Sequence, residues 1–214
     1  MSKRDELIDL REEALSADLP LKGGATRLVF GEGNPNAEIL FLGEAPGHWE
    51  DVKGLPFVGN AGALLNQMLA QIKIERKEVF ITNIIMYRPP ENRDPTIEEL
   101  MAFEKYVDGI IETIDPKLIV TLGRFSMGKF LPGVMISAVH GKLKEVEWKG
   151  NRRFILPMYH PAAALRSTAV KDSFKNDFLT IPQVLENIKA KSTTSEENKS
   201  EEEKKEESKQ MKLV

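Results

Sequence analysis

Three stretches of this chain concentrate side chains that can move protons, hold charge or read a hydrogen-bonding edge. The first, Gly43-Glu44-Ala45-Pro46-Gly47-His48-Trp49-Glu50-Asp51, carries carboxylates and an imidazole and runs on into Gly54-Leu55-Pro56-Phe57-Val58-Gly59-Asn60-Ala61-Gly62. The second, Arg88-Pro89-Pro90-Glu91-Asn92-Arg93-Asp94-Pro95, follows an apolar segment that contains Asn83 and Tyr87 near its end. The third is His160-Pro161-Ala162-Ala163-Ala164-Leu165-Arg166. Carboxylates and imidazoles transfer protons or stabilise developing charge. A carboxamide offers a donor and an acceptor side by side, and an aromatic ring offers a flat apolar face. Gly43 and Gly47 let a ligand approach the backbone, while Pro46 stiffens the turn between them. Each residue also has an ordinary structural use. Asn83 can cap a strand end and His160 can close a turn. Phe57 can fill a core, Glu50 and Asp51 can favour a helix terminus, and Arg88 and Arg93 can be plain surface charge. The weight of the set depends on whether the elements carrying these residues bring them to one place.

The apolar patterning says that they do. Ile39–Leu42, 79–85 and 118–122 are short apolar runs of the kind that form buried parallel strands. Spacings of three and four mark helices over 7–15, 61–72 and about 97–114, the last opened by Thr96 with Glu99 three residues on as a capping box. A short helix is expected at about 125–130, strands at 142–148 and 153–159 around a Lys149-Gly150-Asn151 turn, and a last helix within 174–189. Residues 18–36 read as loop, with a short strand at 27–30. Three prolines in 88–95 forbid regular pairing and make that loop rigid. Strands alternating with helices predict an α/β fold, a three-layer α/β/α sandwich with a mainly parallel central sheet. In such folds ligands sit beyond the carboxyl ends of the strands. The loops at 43–60, 86–95 and 160–166 leave those ends, so Glu44, His48, Glu50, Asp51, Asn83, Asn92 and His160 converge there, with Phe57 and Tyr87 nearby.

Composition narrows the class. The chain has 214 residues, 41% of them hydrophobic, enough for one core plus an appendage. No apolar run reaches the roughly 18 residues of a membrane span. The N-terminus shows no charged-apolar-small leader, so an intracellular, cytoplasmic protein is expected. Cysteine is absent, which excludes disulfides and thiolate ligation. Residues 192–209 hold seven Glu against four Lys, which equals the whole chain's formal charge of −3. The remainder is near neutral and free to carry a basic face. We expect one domain over 1–190 and a disordered Glu/Lys-rich tail over 191–214.

These motifs, in order, resemble those of the family 4 uracil-DNA glycosylases. The stretch 43–47 with Glu50-Asp51 and Gly54–Gly59 resembles the family's first motif. Ile81-Thr82-Asn83-Ile84 with Arg88–Arg93 resembles the middle one, and Tyr159-His160-Pro161-Ala162-Ala163-Ala164-Leu165-Arg166 the last. Phe30–Pro35 and Leu122-Gly123-Arg124 also fit, so the resemblance covers about residues 10–185. It implies hydrolysis of the N-glycosidic bond of deoxyuridine flipped out of DNA. The residue chemistry agrees. Extruding a base requires a pocket that holds it. Phe57 supplies a ring face, and the Asn83 amide matches uracil O4 and N3–H, whereas cytosine reverses that pattern. His160 is placed to donate to uracil O2 as the base leaves with negative charge. Glu44, Glu50 and Asn92 are candidates around the oxocarbenium-like sugar, Asn92 only as a water-orienting amide. Gly43 and Ala45 belong to the substrate-binding set. Ala45 falls where another glycosylase family has an aspartate for water activation, so a strong dedicated base is not expected. Leu165 is a candidate wedge, and Arg88, Arg93 and Arg166 are candidate DNA contacts.

One departure stands out. The family usually carries a four-iron cluster on four cysteines, and the matching positions here are Ala14, Ala17, Tyr87 and Phe103. We expect no cluster, no metal and no other cofactor, with those residues packed as an apolar plug. The expected partner is uracil-containing DNA, with no membrane, and the chain is expected to be a monomer. Alternatives are a weak or inactive DNA-binding relative and a glycosylase of the same fold for another deaminated base. A nucleotide-binding α/β domain lacks support, because no glycine-rich phosphate loop is present.

Overall fold

Residues 1–191 are described in the computed structural model. Six strands form one sheet: β1 (Glu32–Gly33), β2 (Ile39–Gly43), β3 (Phe80–Asn83), β4 (Leu118–Leu122), β5 (Lys144–Trp148) and β6 (Asn151–Met158). Their order across the sheet is β1-β3-β2-β4-β6-β5. The inner strands β3, β2, β4 and β6 are mutually parallel, and short antiparallel strands close both edges. The chain leaves β2 for β3 on one side and later returns to β4 on the other. This reversal opens a crevice at the carboxyl end of β2.

Eight helices accompany the sheet in Met1–Thr180: α1 (Lys3–Ser16), α2 (His48–Lys53), α3 (Asn60–Gln71), α4 (Ile97–Ile114), α5 (Arg124–Gly128), α6 (Ile136–Val139), α7 (Pro161–Ala164) and α8 (Thr168–Leu179). Strand side chains alternate between the two faces. Leu40 and Leu42 join one core with Leu7 and Ala14 of α1 and Phe103, Val107 and Ile110 of α4. Between them, Phe41 points the other way and stacks on Phe178 of α8 at 5.6 Å. Helices therefore cover both faces, as the α/β pattern predicts. The capping box of Thr96 and Glu99 is present, and α4 runs its full expected length. A second unit begins at Ile181, where residues 181–191 are helical. The expected disordered tail falls almost wholly outside the described residues.

Two local expectations are corrected. Residues 27–30 form no strand; Val29 makes a single backbone bond to Met86, and Glu32–Gly33 pairs with β3 instead. The first loop is not all loop, since His48–Lys53 closes into a short helix ended by Gly54 at φ 71°. The segment 174–189, expected to contain the last helix, holds the end of α8, capped at Thr180, and a further helical stretch from 181.

Candidate active site

The sheet brings three loops to one edge. Gly43 ends β2 and is paired in register with Asn83, the last residue of β3. His160 follows β6 and caps α7. Beyond these ends lies a cleft of about 360 Å³, lined by residues that include Glu44, Ala45, Glu50, Phe57, Asn83, Asn92, Arg93, His160 and Arg166. Residues far apart in sequence thus meet.

Asn83 is buried, and its Oδ1 has no hydrogen-bond partner. A buried amide oxygen left unpaired costs on the order of 1–3 kcal/mol, so its retention in a cleft points to a ligand donor. Gly43 makes the space. A Cβ there would collide with Asn83 Oδ1 and the Phe57 ring. Phe57 is buried and lies beside His160, with ring centroids 5.6 Å apart. Its backbone is in the left-handed region at φ 50°, a strained choice for an aromatic residue. Two features sustain it. Glu50 Oε1 accepts from the N–H groups of Val58 (2.9 Å) and Gly59 (2.8 Å). Gly62 of α3 leaves no Cβ to strike the Phe57 carbonyl. Arg76 braces the same loop from outside, donating to the Pro56 carbonyl at 2.6 Å while paired with Glu32. Neither Gly62 nor Arg76 carries a signal of this role in the sequence beyond the Gly59–Gly62 spacing.

His160 Nδ1 accepts a hydrogen bond from the Ala162 N–H at 3.1 Å. A proton on the neutral ring therefore sits on Nε2. Burial pushes the imidazole pKa down to about 4, against the raising influence of the Glu50 charge; Arg166 adds to the depression. The ring is thus neutral at physiological pH. Glu44 accepts from Phe125 N–H at 2.9 Å, and burial raises its pKa above the usual carboxylate range, opposed by that bond. Asn92 Oδ1 accepts from Arg88 Nε at 2.9 Å. Oδ1 is engaged there, and the Asn92 amide N–H groups supply donors.

Not every candidate reaches the cleft. Asp51 is buried beneath it, with Oδ1 accepting from Thr26 N–H (2.7 Å) and Arg27 N–H (3.2 Å), so it ties the 26–27 loop to α2. His48 is exposed on α2, 3.4 Å from Arg88. Arg93 lines the cleft, but both terminal nitrogens are engaged by Glu99 at 2.9 and 2.6 Å. Leu165 is 47% exposed beside Arg166.

The four positions that the resemblance sets against iron ligands offer no thiolate and pack as apolar structure. Ala14, Tyr87 and Phe103 are buried in one apolar core, and Ala17 packs against it. The rings of Tyr87 and Phe103 meet edge to face at 6.1 Å. No thiolate exists in the chain. Among the described residues, no group of three or more His, Asp or Glu is placed to hold a metal, and no helix is long and apolar enough to cross a membrane.

Comparison with known proteins shows the family of the chain. The family model described as the Uracil DNA glycosylase superfamily matches residues 30–181. The chain is 42% identical to a type-4 uracil-DNA glycosylase of Archaeoglobus fulgidus over 187 residues, 84% of this chain and 94% of that protein. It is 44% identical to one of Sulfurisphaera tokodaii over 188 residues, 84% and 85% of the two chains. A third, of Thermotoga maritima, is 38% identical over 200 residues, 92% of this chain and all of that protein. With the cleft at the switch of its sheet and this extent of likeness, the chain belongs to the uracil DNA glycosylase superfamily.

Proposed function

We propose that this protein is a uracil-DNA glycosylase that hydrolyses the N-glycosidic bond of deoxyuridine extruded from DNA, and that it works without an iron–sulfur cluster. The observation that carries the recognition step is the unpartnered, buried Oδ1 of Asn83 beside Phe57. An acceptor there meets uracil N3–H, and the amide N–H meets O4. Cytosine would set donor against donor and acceptor against acceptor. Phe57 stacks on the extruded base, and Gly43 keeps the floor clear.

The chemistry follows from the same residues. As the C1′–N1 bond breaks, its electron pair passes to the base and charge gathers on uracil O2. Neutral His160 donates Nε2–H to that oxygen, a fixed donor where charge develops. The sugar becomes oxocarbenium-like, and the Glu50 carboxylate lies on the cleft wall to offset its charge. Glu50 also holds Phe57 in place through the 58–59 amides. Water adds to C1′ and gives up a proton to solvent, and the uracil anion takes one up. Asn92 orients that water by its amide and cannot deprotonate it. Glu44, held by Phe125 N–H, is a second carboxyl at this wall. Arg88, Arg166 and the exposed Leu165 lie where DNA enters, and we assign them the strand contact and wedge. Arg93 contributes through its pair with Glu99, which fixes the 88–95 loop. The catalytic unit is proposed to span 1–190 and to act as a monomer.

Single-turnover cleavage of a uracil oligonucleotide, single-stranded and opposite guanine, tests this, with cytosine and hypoxanthine controls. Abasic product from uracil alone is expected. Equal release of hypoxanthine would widen the substrate class, and DNA binding without product would make the chain a binding relative. Iron content and visible absorption of the purified protein test the cluster-free reading; both are expected to be at background.

A further inference from the structure

We propose that the indole of Trp49 is a stacking platform for the nucleobase adjacent to the extruded uridine in the same DNA strand; this rests on the uracil-excising reading above. Tryptophan carries a large apolar area that proteins ordinarily bury. Here it is 55% exposed on α2, and Val52, one turn on, is 41% exposed. The ring is not a loose appendage. His48 meets it at 5.0 Å and 68°, and its Cδ1 is 3.5 Å from where a Cβ on Gly59 would stand. It adjoins the cleft through its neighbours. The next residue, Glu50, lines the cleft, and His48 touches Arg88 at 3.4 Å, which in turn holds Asn92 of the cleft wall.

An exposed aromatic ring with a guanidinium on its neighbour, here Arg88 at 3.4 Å from His48, suits single-stranded nucleic acid: the ring stacks on a base and the cation meets the backbone. Only one Arg88 donor is committed to Asn92, leaving others for a phosphate. Once the uridine leaves the stack, its neighbour has lost a stacking partner. The indole replaces it at the point where the strand turns into the cleft. Continuity with the cleft and the adjoining cation favour DNA over a protein partner as the occupant.

The test uses an oligonucleotide containing 2′-fluoro-2′-deoxyuridine, whose fluorine opposes the oxocarbenium step and keeps the complex intact. Binding should quench tryptophan fluorescence in the wild type and not in Trp49→Phe, which leaves Trp148 to report any background. An abasic spacer on one side of the uridine should abolish the quench. Trp49→Ala should weaken binding by about 5- to 100-fold, with Trp49→Phe intermediate and both variants melting within a few degrees of wild type. Quenching that survives spacers on both sides, or unchanged affinity in Trp49→Ala, overturns the proposal and leaves the exposed Trp49 and Val52 to a protein partner. If uracil is released normally under either result, the function stands and only the platform falls. If the wild type neither releases uracil nor prefers it over thymine, the function itself has failed.

Discussion

The cleft beyond Gly43 and Asn83 and the seam between α1 and α4 both contain buried residues, and they treat polar groups in opposite ways. In the seam, Ala14, Phe103, Val107 and Ile110 close on one another, with Tyr87 edge-on to Phe103. Each contact there adds stability, and removing one large side chain from such a core typically costs about 3–5 kcal/mol. In the cleft, Asn83 Oδ1 is buried without a partner, Phe57 holds a strained φ of 50°, and His160 is kept neutral by burial. Each of these features costs stability in the free protein. The difference separates what holds the fold from what the fold holds ready. Ala14, Ala17, Tyr87 and Phe103 lie on the stabilising side, in or against that apolar core.

Changes in the cleft should therefore break rate, and changes in the seam should break stability. The largest effect is expected at Asn83. Asn83→Asp replaces the amide donor with an acceptor facing uracil O4. Uracil excision should fall by about 10³-fold or more, while far-ultraviolet circular dichroism stays native. Retained activity would remove Asn83 from recognition. Next comes His160→Ala, expected to lower the single-turnover rate by about 10²- to 10³-fold, with DNA affinity within a few-fold of wild type. Equal losses in both would mean that the variant disturbs folding and not chemistry.

The depressed pKa of His160 gives a signed pH test. The neutral ring is the resting form, so its contribution to rate should be level from neutral pH downwards and change only as pH approaches about 4, where protonation of Nδ1 breaks the bond from the Ala162 N–H. Stability follows the same group. Between its unfolded value near 6.5 and the folded value near 4, the unfolded chain binds the extra proton. Stability should thus decline as pH falls through that window, by up to about 3 kcal/mol from this residue. Urea unfolding at several pH values checks it. In His160→Gln that share of the pH dependence should disappear. In the seam, Phe103→Ala should lower the melting temperature by about 10 °C. Its single-turnover rate, measured well below melting, should stay within about 10-fold of wild type. A rate loss as large as that of His160→Ala would show that the seam also sets the geometry of the 88–95 loop, which begins next to Tyr87.

Much of this division was legible before any fold was known. The strands β2, β3 and β4 are short apolar runs, and Thr96 with Glu99 marks where α4 starts; both signals are local. Asn83, Phe57 and His160 stood out because they terminate or follow such runs. What stayed hidden depends on partners distant in sequence. The His48–Lys53 helix is too short to show a period. Glu32–Gly33 is a strand only because β3 offers it a ladder. The Phe57 conformation needs Gly62 and Glu50 together, and Arg76 braces its loop through Pro56. Arg93 looked like a free cation, and its pairing with Glu99 follows from how the 93–96 segment folds back onto the first turn of α4.

The smallest effect is expected outside the described residues. Deleting 192–214 should leave the single-turnover rate on a saturating uracil oligonucleotide within about two-fold, because every residue assigned to the cleft lies before 167. The deleted stretch contains the excess of seven Glu over four Lys in 192–209. A tethered acidic segment competes with phosphates for the same cations, and this competition is screened by salt. The shortened protein should therefore bind DNA a few-fold more tightly at low ionic strength, and the two forms should converge as salt rises. Identical salt curves would show that the acidic segment does not compete for the DNA-binding face. A lost rate at saturation would move part of the catalytic unit past residue 191, against the boundary proposed here.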